Sequence, residues 1–264
     1  MHSLAIFGIS GRMGQSLLRA LRESPGLRLS GAVASNASAR LGQDAALEGE
    51  VSGVTITADP VAGLRGAAVA LDFSATAGVP AHVQACAAAR VPVLIGTTGL
   101  DAASRRLLQQ AARQIPVLIA PNTSVGVGVL AKLVSMASAG LGPAFDIEIS
   151  EAHHRQKCDA PSGTALALGE AAAAARGQAL DAVAIYDRTA LSAPRASGSI
   201  GFSVLRAGDI VGEHTVTFAA MGERVEITHR ATDRIIFARG ALRAAEWLIG
   251  RPAGLYSMQD VIGL

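Results

Sequence analysis

Over its first 120 residues the chain alternates short apolar runs rich in β-formers with alanine-rich helical stretches, and nothing else in the sequence narrows the fold so far. The runs at residues 3–8 (SLAIFG), 27–34 (LRLSGAVA), 54–57 (VTIT), 68–74 (AVALDFS), 91–98 (VPVLIGTT) and 116–120 (PVLIA) read as strands. Helical patterns fill 13–23, 78–90 and 101–114. Several of the strands are apolar throughout rather than alternating. A strand of that kind needs cover on both faces, which predicts a parallel sheet between two layers of helices.

The pattern then changes. A long helix is expected over 124–141. In 145–153 (FDIEISEAH), Phe145, Ile147 and Ile149 alternate with Asp146, Glu148 and Ser150, as in a strand with one wet face. Another helix follows at 161–177. The segments 199–208 and 214–230, with turn-rich connections, predict a mostly antiparallel sheet, and a final helix is expected over 233–249. The expected architecture is an α/β doubly wound parallel domain, residues 1–124 with 235–264, into which a second, α+β domain of residues 125–234 is inserted.

With 264 residues, half of them hydrophobic and 17% charged, the chain has ample material for these cores. A formal net charge of +2 without a long Lys/Arg run argues against a nucleic-acid partner. No apolar run is read as reaching the roughly 18–20 residues that cross a bilayer, so no membrane partner is expected. The first residues lack signal-peptide architecture, which predicts a cytoplasmic location. Cys86 and Cys158 form no metal or redox spacing, and no metal site is expected.

At the first strand–helix junction, GISGRMG places Gly8, Gly11 and Gly14 at G-x-x-G-x-x-G spacing. Glycines there permit a tight turn and a close backbone approach, and the helix N-terminus presents N–H groups to a pyrophosphate. Arg12 adds positive charge. Dinucleotide folds often read the adenosine ribose with a carboxylate about 20 residues on. Here Ser35 and Asn36 stand at that tip, with Arg40 nearby and no carboxylate. Nothing there repels a ribose 2′-phosphate, so NADPH is expected to serve at least as well as NADH. Arg40 either pairs with that phosphate or is a solvated surface residue. The segments 96–99 (GTTG) and 120–124 (APNTS) sit at expected carboxyl ends of parallel strands, where ligands of open α/β sheets bind.

Residues 151–165 (EAHHRQKCDAPSGTA) gather His153, His154, Arg155 and Lys157 just before a helix start. Ser162 or Thr164 can cap that helix, and the backbone N–H groups around Ser162, Gly163 and Thr164 suit a carboxylate. An imidazole and an ammonium nearby supply charge and an exchangeable proton. The pattern points to a small anionic substrate held beside a proton donor. Zinc is a poor alternative, because no further His/Cys group lies at ligand spacing. Cys158 as a nucleophile lacks a partnered base, and Asp159 is read as orienting the lysine or its loop.

These residues closely resemble the signature of the 4-hydroxy-tetrahydrodipicolinate reductase (dihydrodipicolinate reductase) family of diaminopimelate and lysine biosynthesis. The resemblance runs over the whole chain, through GISGRMG, DFS (72–74), GTTG, SVGVGV (124–129), RAGDIVGEHTV (206–216) and FARGALRAAEWL (237–248), in the family's order. It implies a Rossmann-like cofactor domain, a substrate domain that builds a homotetramer, and closure between them. It also implies hydride transfer from NADPH or NADH to a small cyclic dicarboxylate, with loss of water. By the same resemblance His153 matches the proton donor/acceptor and Lys157 a second proton donor. His154, Gly163 and Thr164 match substrate contacts, beside Ser162 of the same turn. Gly8, Ile9, Ser10, Gly11, Arg12 and Met13 match cofactor contacts, as do Gly96, Thr97, Thr98, Ala120, Pro121, Asn122 and Thr123. The chain departs from the family pattern at Ser35, where an acidic ribose partner is usual. It departs again at Thr123, where an aromatic residue or methionine is common, and at Cys158, where an apolar residue is. A related two-domain amino-acid dehydrogenase and a non-catalytic dinucleotide-sensing paralogue are the competing readings.

Overall fold

The computed structural model describes residues 1–48, 50–189 and 192–263, arranged as two compact units, Met1–Val125 with Ile235–Gly263, and Gly126–Arg234. Leu264, the last residue of the expected first domain, lies outside the described residues.

In chain order the first unit runs β1 (His2–Phe7), α1 (Arg12–Leu21), β2 (Leu27–Val33), β3 (Ile56–Thr57), α2 (Pro60–Gly63), β4 (Val69–Asp72), α3 (Val79–Ala89), β5 (Val93–Ile95), α4 (Ala102–Ala111) and β6 (Pro116–Ile119). The second comprises α5 (Val125–Leu141), β7 (Asp146–His153), α6 (Gly163–Ala174), α7 (Leu180–Val183), β8 (Ala184–Ile185), β9 (Ile200–Arg206), β10 (Gly212–Ala220) and β11 (Glu223–Ala231). The chain then completes the first unit with α8 (Ile235–Leu248), β12 (Gly254–Tyr256) and α9 (Met258–Ile262).

The first unit is a parallel seven-stranded sheet in the order β12-β6-β5-β4-β1-β2-β3. Its central strands are buried on both faces. Leu4, Ile6 and Leu71 face a core that includes Leu17 of α1 and Leu242 of α8. Ala5, Phe7 and Ala70 face the other core, with Val83 of α3 and Leu108 of α4. That two-sided burial is why these strands read as unbroken apolar runs. Strand β1 lies between β2 and β4, so the connections leave it in opposite directions and open a crevice at its carboxyl end. The doubly wound parallel domain read from the sequence is the one observed. Strand β12, which adds to β6, lies beyond the last expected element.

The second unit has a five-stranded sheet in the order β11-β10-β7-β9-β8. The expectation of a mostly antiparallel sheet is corrected. β10 is antiparallel to β7 and β11, but β9 is parallel to β7 and β8, so the sheet is mixed. The long connection through α6 and α7 permits the parallel pairing, which a hairpin does not. Ile147, Ile149, Phe202, Val216 and Phe218 point to one face, where they pack with Leu130 and Val134 of α5 and Leu168 and Ala172 of α6. Alanines at 165, 172 and 173 keep α6 close to that surface.

One helix bears on the expectation that no membrane partner exists. The helical stretch 125–144, with mean hydropathy 1.6, is long and apolar enough by length and composition to cross a bilayer. Glycines, serines and Lys132 interrupt it, so counting unbroken apolar letters misses it. It also carries Leu130 and Val134 into the core of the second unit.

Phe218 is fully buried at the centre of that core. Phe218→Ala is expected to lower the unfolding free energy of this unit by about 3–5 kcal/mol, followed by far-UV circular dichroism in denaturant. A loss below about 1 kcal/mol would contradict the packing described.

Candidate active site

In the first unit, the chain leaves β1 through a turn in which Gly8 has φ +83° and donates its N–H to Val33 O at 2.8 Å. A Cβ on Gly8 would lie 2.7 Å from Phe73 O, and one on Gly14 would lie 2.4 Å from Ile9 O. Side chains at either position are therefore excluded by backbone rather than by solvent preference. Gly11 caps α1 without a side-chain hydrogen bond, and no acidic residue sits in the first turn. The first-turn N–H groups lack intrahelical partners, and the helix end favours an anion. Ile9 is buried, Ser10 and Arg12 are exposed, and Met13 is half-buried. This cradle fits a dinucleotide pyrophosphate, with Arg12 beside it.

An open cleft of about 410 Å³ adjoins the turn, lined by Met13, Phe73, Ser74, Thr76, Gly96, Thr97 and Thr98 among others. Two residues beneath it went unread in the sequence. Asp72, wholly buried at the end of β4, accepts from Ser74 N at 2.9 Å and binds His82 Nδ1 at 2.8 Å. The His82 ring stacks on Phe7 with centroids 4.3 Å apart. Thr97 Oγ1 donates to Ser74 O at 3.0 Å, so the turns after β4 and β5 are tied together over one buried carboxylate. Burial, and then the charge of Asp72, push the Cys86 thiol far above the ordinary thiol range.

Around the cleft the remaining expected contacts divide. Ser35 and Asn36 are exposed at the end of β2. Arg40 is neither simply solvated nor free to swing, since its Nη2 donates to Asp44 O and Ala46 O at 3.1 and 3.2 Å. Ala120 is buried and Pro121 exposed. Asn122 Oδ1 accepts from Ser124 N at 2.9 Å. Thr123 is buried and turns inward, its hydroxyl donating to Phe237 O at 2.6 Å.

In the second unit, β7 carries Ile147, Ile149, Glu151 and His153 on its covered face, so the side-chain alternation that buries two isoleucines also buries a carboxylate and an imidazole. Glu151, 3% exposed, is held by four donors. Its Oε2 binds His153 Nδ1 at 2.6 Å and Arg206 Nη1 at 2.7 Å. Its Oε1 accepts from Arg206 Nη2 at 2.8 Å and Ser162 N at 2.9 Å. A carboxylate offers about four lone-pair sites, so this one is saturated. Burial pushes the Glu151 carboxyl up, but the bonds from Arg206, His153 and Ser162 outweigh it and hold the group below the ordinary range.

With Nδ1 engaged by Glu151, His153 presents Nε2 to the site. Gly212, opposite it on β10, keeps that nitrogen clear, because a Cβ there would lie 3.0 Å from Nε2. The following turn is fixed by Ala207 N to His153 O at 2.9 Å and Lys157 N to His154 O at 3.1 Å. Lys157 Nζ sits between the two oxygens of Asp159 at 2.7 and 2.8 Å. His154 is half-buried, and partial burial followed by the positive charges of Arg234, His153, Lys157 and Arg206 lowers its pKa. A basin that penalises one more proton in this way attracts an anion.

Ser162 caps α6 through Oγ, which accepts from Ala165 N at 3.2 Å and lies 3.0 Å from His214 Nε2. Its N–H is the one bound to Glu151, so both polar groups of Ser162 are spent inside the protein. Gly163 is exposed and Thr164 half-buried in the first turn of that helix. The structure thus brings His153, His154, Lys157 and the Ser162–Thr164 turn together in one unit. Glu151, Arg206, His214 and Arg234 are neighbours the sequence reading missed. Among the described residues no group of His, Cys, Asp and Glu is arranged to hold a metal ion.

Comparison with known proteins follows the same division of the chain. The family model described as "Dihydrodipicolinate reductase, N-terminus" matches residues 2–123, and "Dihydrodipicolinate reductase, C-terminus" matches 126–262. The 4-hydroxy-tetrahydrodipicolinate reductase of Thiobacillus denitrificans is 51% identical, over 99% of this chain and 98% of the relative. That of Pseudoalteromonas translucida is 48% identical, over 100% and 98%. Among solved structures, a dipicolinate-bound dihydrodipicolinate reductase from Paenisporosarcina sp. TG-14 superposes with TM-score 0.78, covers 98% of each chain and is 22% identical, a likeness of fold.

His214 supplies a test of the buried network. Burial, then the charge of His153, lower its pKa from 6.5 to about 4, with Glu151 opposing. The unfolded chain binds a proton near pH 6.5 that the folded chain refuses until about pH 4, so stability falls as pH drops through that window. The loss attributable to this group is on the order of 3 kcal/mol. His214→Asn is expected to flatten that part of the stability–pH curve, measured by denaturant titration from pH 7.5 to 4. An unchanged slope in the variant would show that His214 is not held neutral.

Proposed function

The chain belongs to the dihydrodipicolinate reductase family and is an oxidoreductase that reduces 4-hydroxy-tetrahydrodipicolinate in diaminopimelate and lysine biosynthesis, and from that premise we propose how its residues divide the work. The reaction adds a hydride and a proton to the ring and releases water. The glycine turn and the cleft at the ends of β4 and β5 hold a nicotinamide dinucleotide, which supplies the hydride when bound. Gly8 to Met13 face its phosphates, while Gly96 to Thr98 and Ala120 to Thr123 border the nicotinamide end. Thr123 contributes backbone there, since its hydroxyl is engaged by Phe237 O.

His153 and Lys157 handle the protons, and His154 with the Gly163–Thr164 turn holds a substrate carboxylate. The observation that carries this reading is the Glu151–His153 pair, 2.6 Å apart and buried, with Nε2 left clear over Gly212. Such an arrangement fixes the imidazole tautomer and aims one nitrogen at the reacting group. The lysine ammonium, with Asp159 as its counter-ion, is a second donor that exchanges the Asp159 carboxylate for a substrate carboxylate. Cations converging on the ring also stabilise negative charge that develops as the proton arrives.

Both NADH and NADPH serve as reductant in this reading. The end of β2 offers Ser35 and Asn36 instead of a carboxylate, so a 2′-phosphate meets no repulsion. Arg40 stands near that tip, anchored to the 44–46 backbone through Nη2. Residues 1–124 with 235–264 form the dinucleotide-binding domain and 125–234 the substrate domain. A cytoplasmic location fits the biosynthetic role of the family, and assembly into a homotetramer would cover the half-exposed outer face of the second sheet, where Leu205 is 53% exposed.

His153→Ala and Lys157→Ala are each expected to cut turnover by roughly 10²-fold, the scale of acid–base catalysis. NADH or NADPH consumption with freshly generated substrate measures this. Unchanged rates in either variant would remove that residue's role.

A further inference from the structure

We propose that Arg206 is a positioning residue that sets the placement of Lys157 relative to His153, an inference that rests on the proton-handling roles assigned to those two residues. The guanidinium stands between them. On one side it grips Glu151 through both terminal nitrogens at 2.7 and 2.8 Å, and Glu151 in turn holds His153. On the other side Nε donates to Lys157 O at 3.3 Å and Nη2 to Asp159 O at 2.6 Å. The loop that carries the lysine is therefore fastened at two carbonyls, on the lysine itself and on the residue that pairs with its ammonium.

Four features make this more than a surface ion pair. Arg206 lies opposite His153 in the β7–β9 register, so the anchor sits on the strand next to the imidazole. The fork-to-fork contact fixes the plane of the guanidinium, which a point charge does not. Beyond the backbone bonds that fix the turn up to Lys157, the loop runs exposed through Cys158, Asp159 and Ala160, where the Arg206 bond to Asp159 O meets it. The same Glu151 carboxylate binds Ser162 N, so the helix N-terminus of the carboxylate cradle is referred to the same point. An error in Arg206 thus displaces the lysine and relaxes the imidazole while the cofactor cleft of the other unit keeps its own supports.

The test uses the full-length protein with NADPH and freshly generated cyclic substrate, comparing Arg206→Gln and Arg206→Lys with Lys157→Ala and the double variant Arg206→Lys/Lys157→Ala. Arg206→Gln is expected to lower kcat on the order of 10²-fold, as a misplaced catalytic group does, with the KM for NADPH unchanged. Arg206→Lys keeps the charge and the fold but not the fork, and is expected to fall between wild type and Arg206→Gln. The double variant is expected to lose less than the product of the two single effects, because the anchor still holds His153 through Glu151 but has no lysine left to place. Wild-type kcat in Arg206→Lys, or effects that multiply in the double variant, would overturn the proposal even if Arg206→Gln fails to fold. A wild-type rate in Lys157→Ala would instead overturn the role assigned to the lysine, and the positioning role with it.

Discussion

A single buried carboxylate bears the active-site half of this molecule. Glu151 is removed from water, and a charge in that position is tolerable only when every lone pair is met. The chain meets them from three separate places, the same strand (His153), the start of a helix (Ser162) and the next strand (Arg206). Each donor belongs to a part of the proposed site, so satisfying the charge and assembling the site are one event. Glutamine is nearly isosteric here but would turn a donor toward a donor, and the network has no spare acceptor to absorb the mismatch.

The cofactor-binding half depends on the opposite condition, namely the absence of side chains. At Gly8 and Gly14 the backbone of the turn, of β4's end and of α1 approach within distances that a Cβ cannot share. The doubly wound order of strands brings those segments to one edge, and the glycines let them close. Asp72 then ties the neighbouring turns as Glu151 does in the second unit, again with a histidine on one oxygen. Both halves use a carboxylate at the end of a strand to make loops behave as rigid elements, which is what precise placement of a substrate requires.

Much of this was legible in the sequence, and the reasons differ by element. Two-sided burial marked the central parallel strands as unbroken apolar runs, and the glycine spacing marked the first turn. The alternation in DIEISEAH places Glu151 on the same face as Ile147, Ile149 and His153, but the donors that make a buried carboxylate tolerable there come from other segments, so the residue carries no local sign of its role. Arg206 and His214 had no local signal, since their meaning comes from strands paired across more than 50 residues. The parallel β7–β9 pairing was missed for the same reason, because β9 alone reads like any half-buried strand. Ser162 was read as a ligand group where its hydroxyl and N–H are both taken up internally. Arg40 was read from its charge, but the carbonyls of the 44–46 loop decide where it points.

If the saturated carboxylate organises the site, its loss should be visible as geometry and not only as rate. The most direct measurement is a crystal structure of the Glu151→Gln variant beside that of the wild type. In the variant the Arg206 guanidinium is expected to leave its place, the 157–159 loop to shift and the His153 ring to turn, while the β7–β10 register is kept. Superposable positions for all three, with the glutamine amide simply replacing the carboxylate, would contradict it.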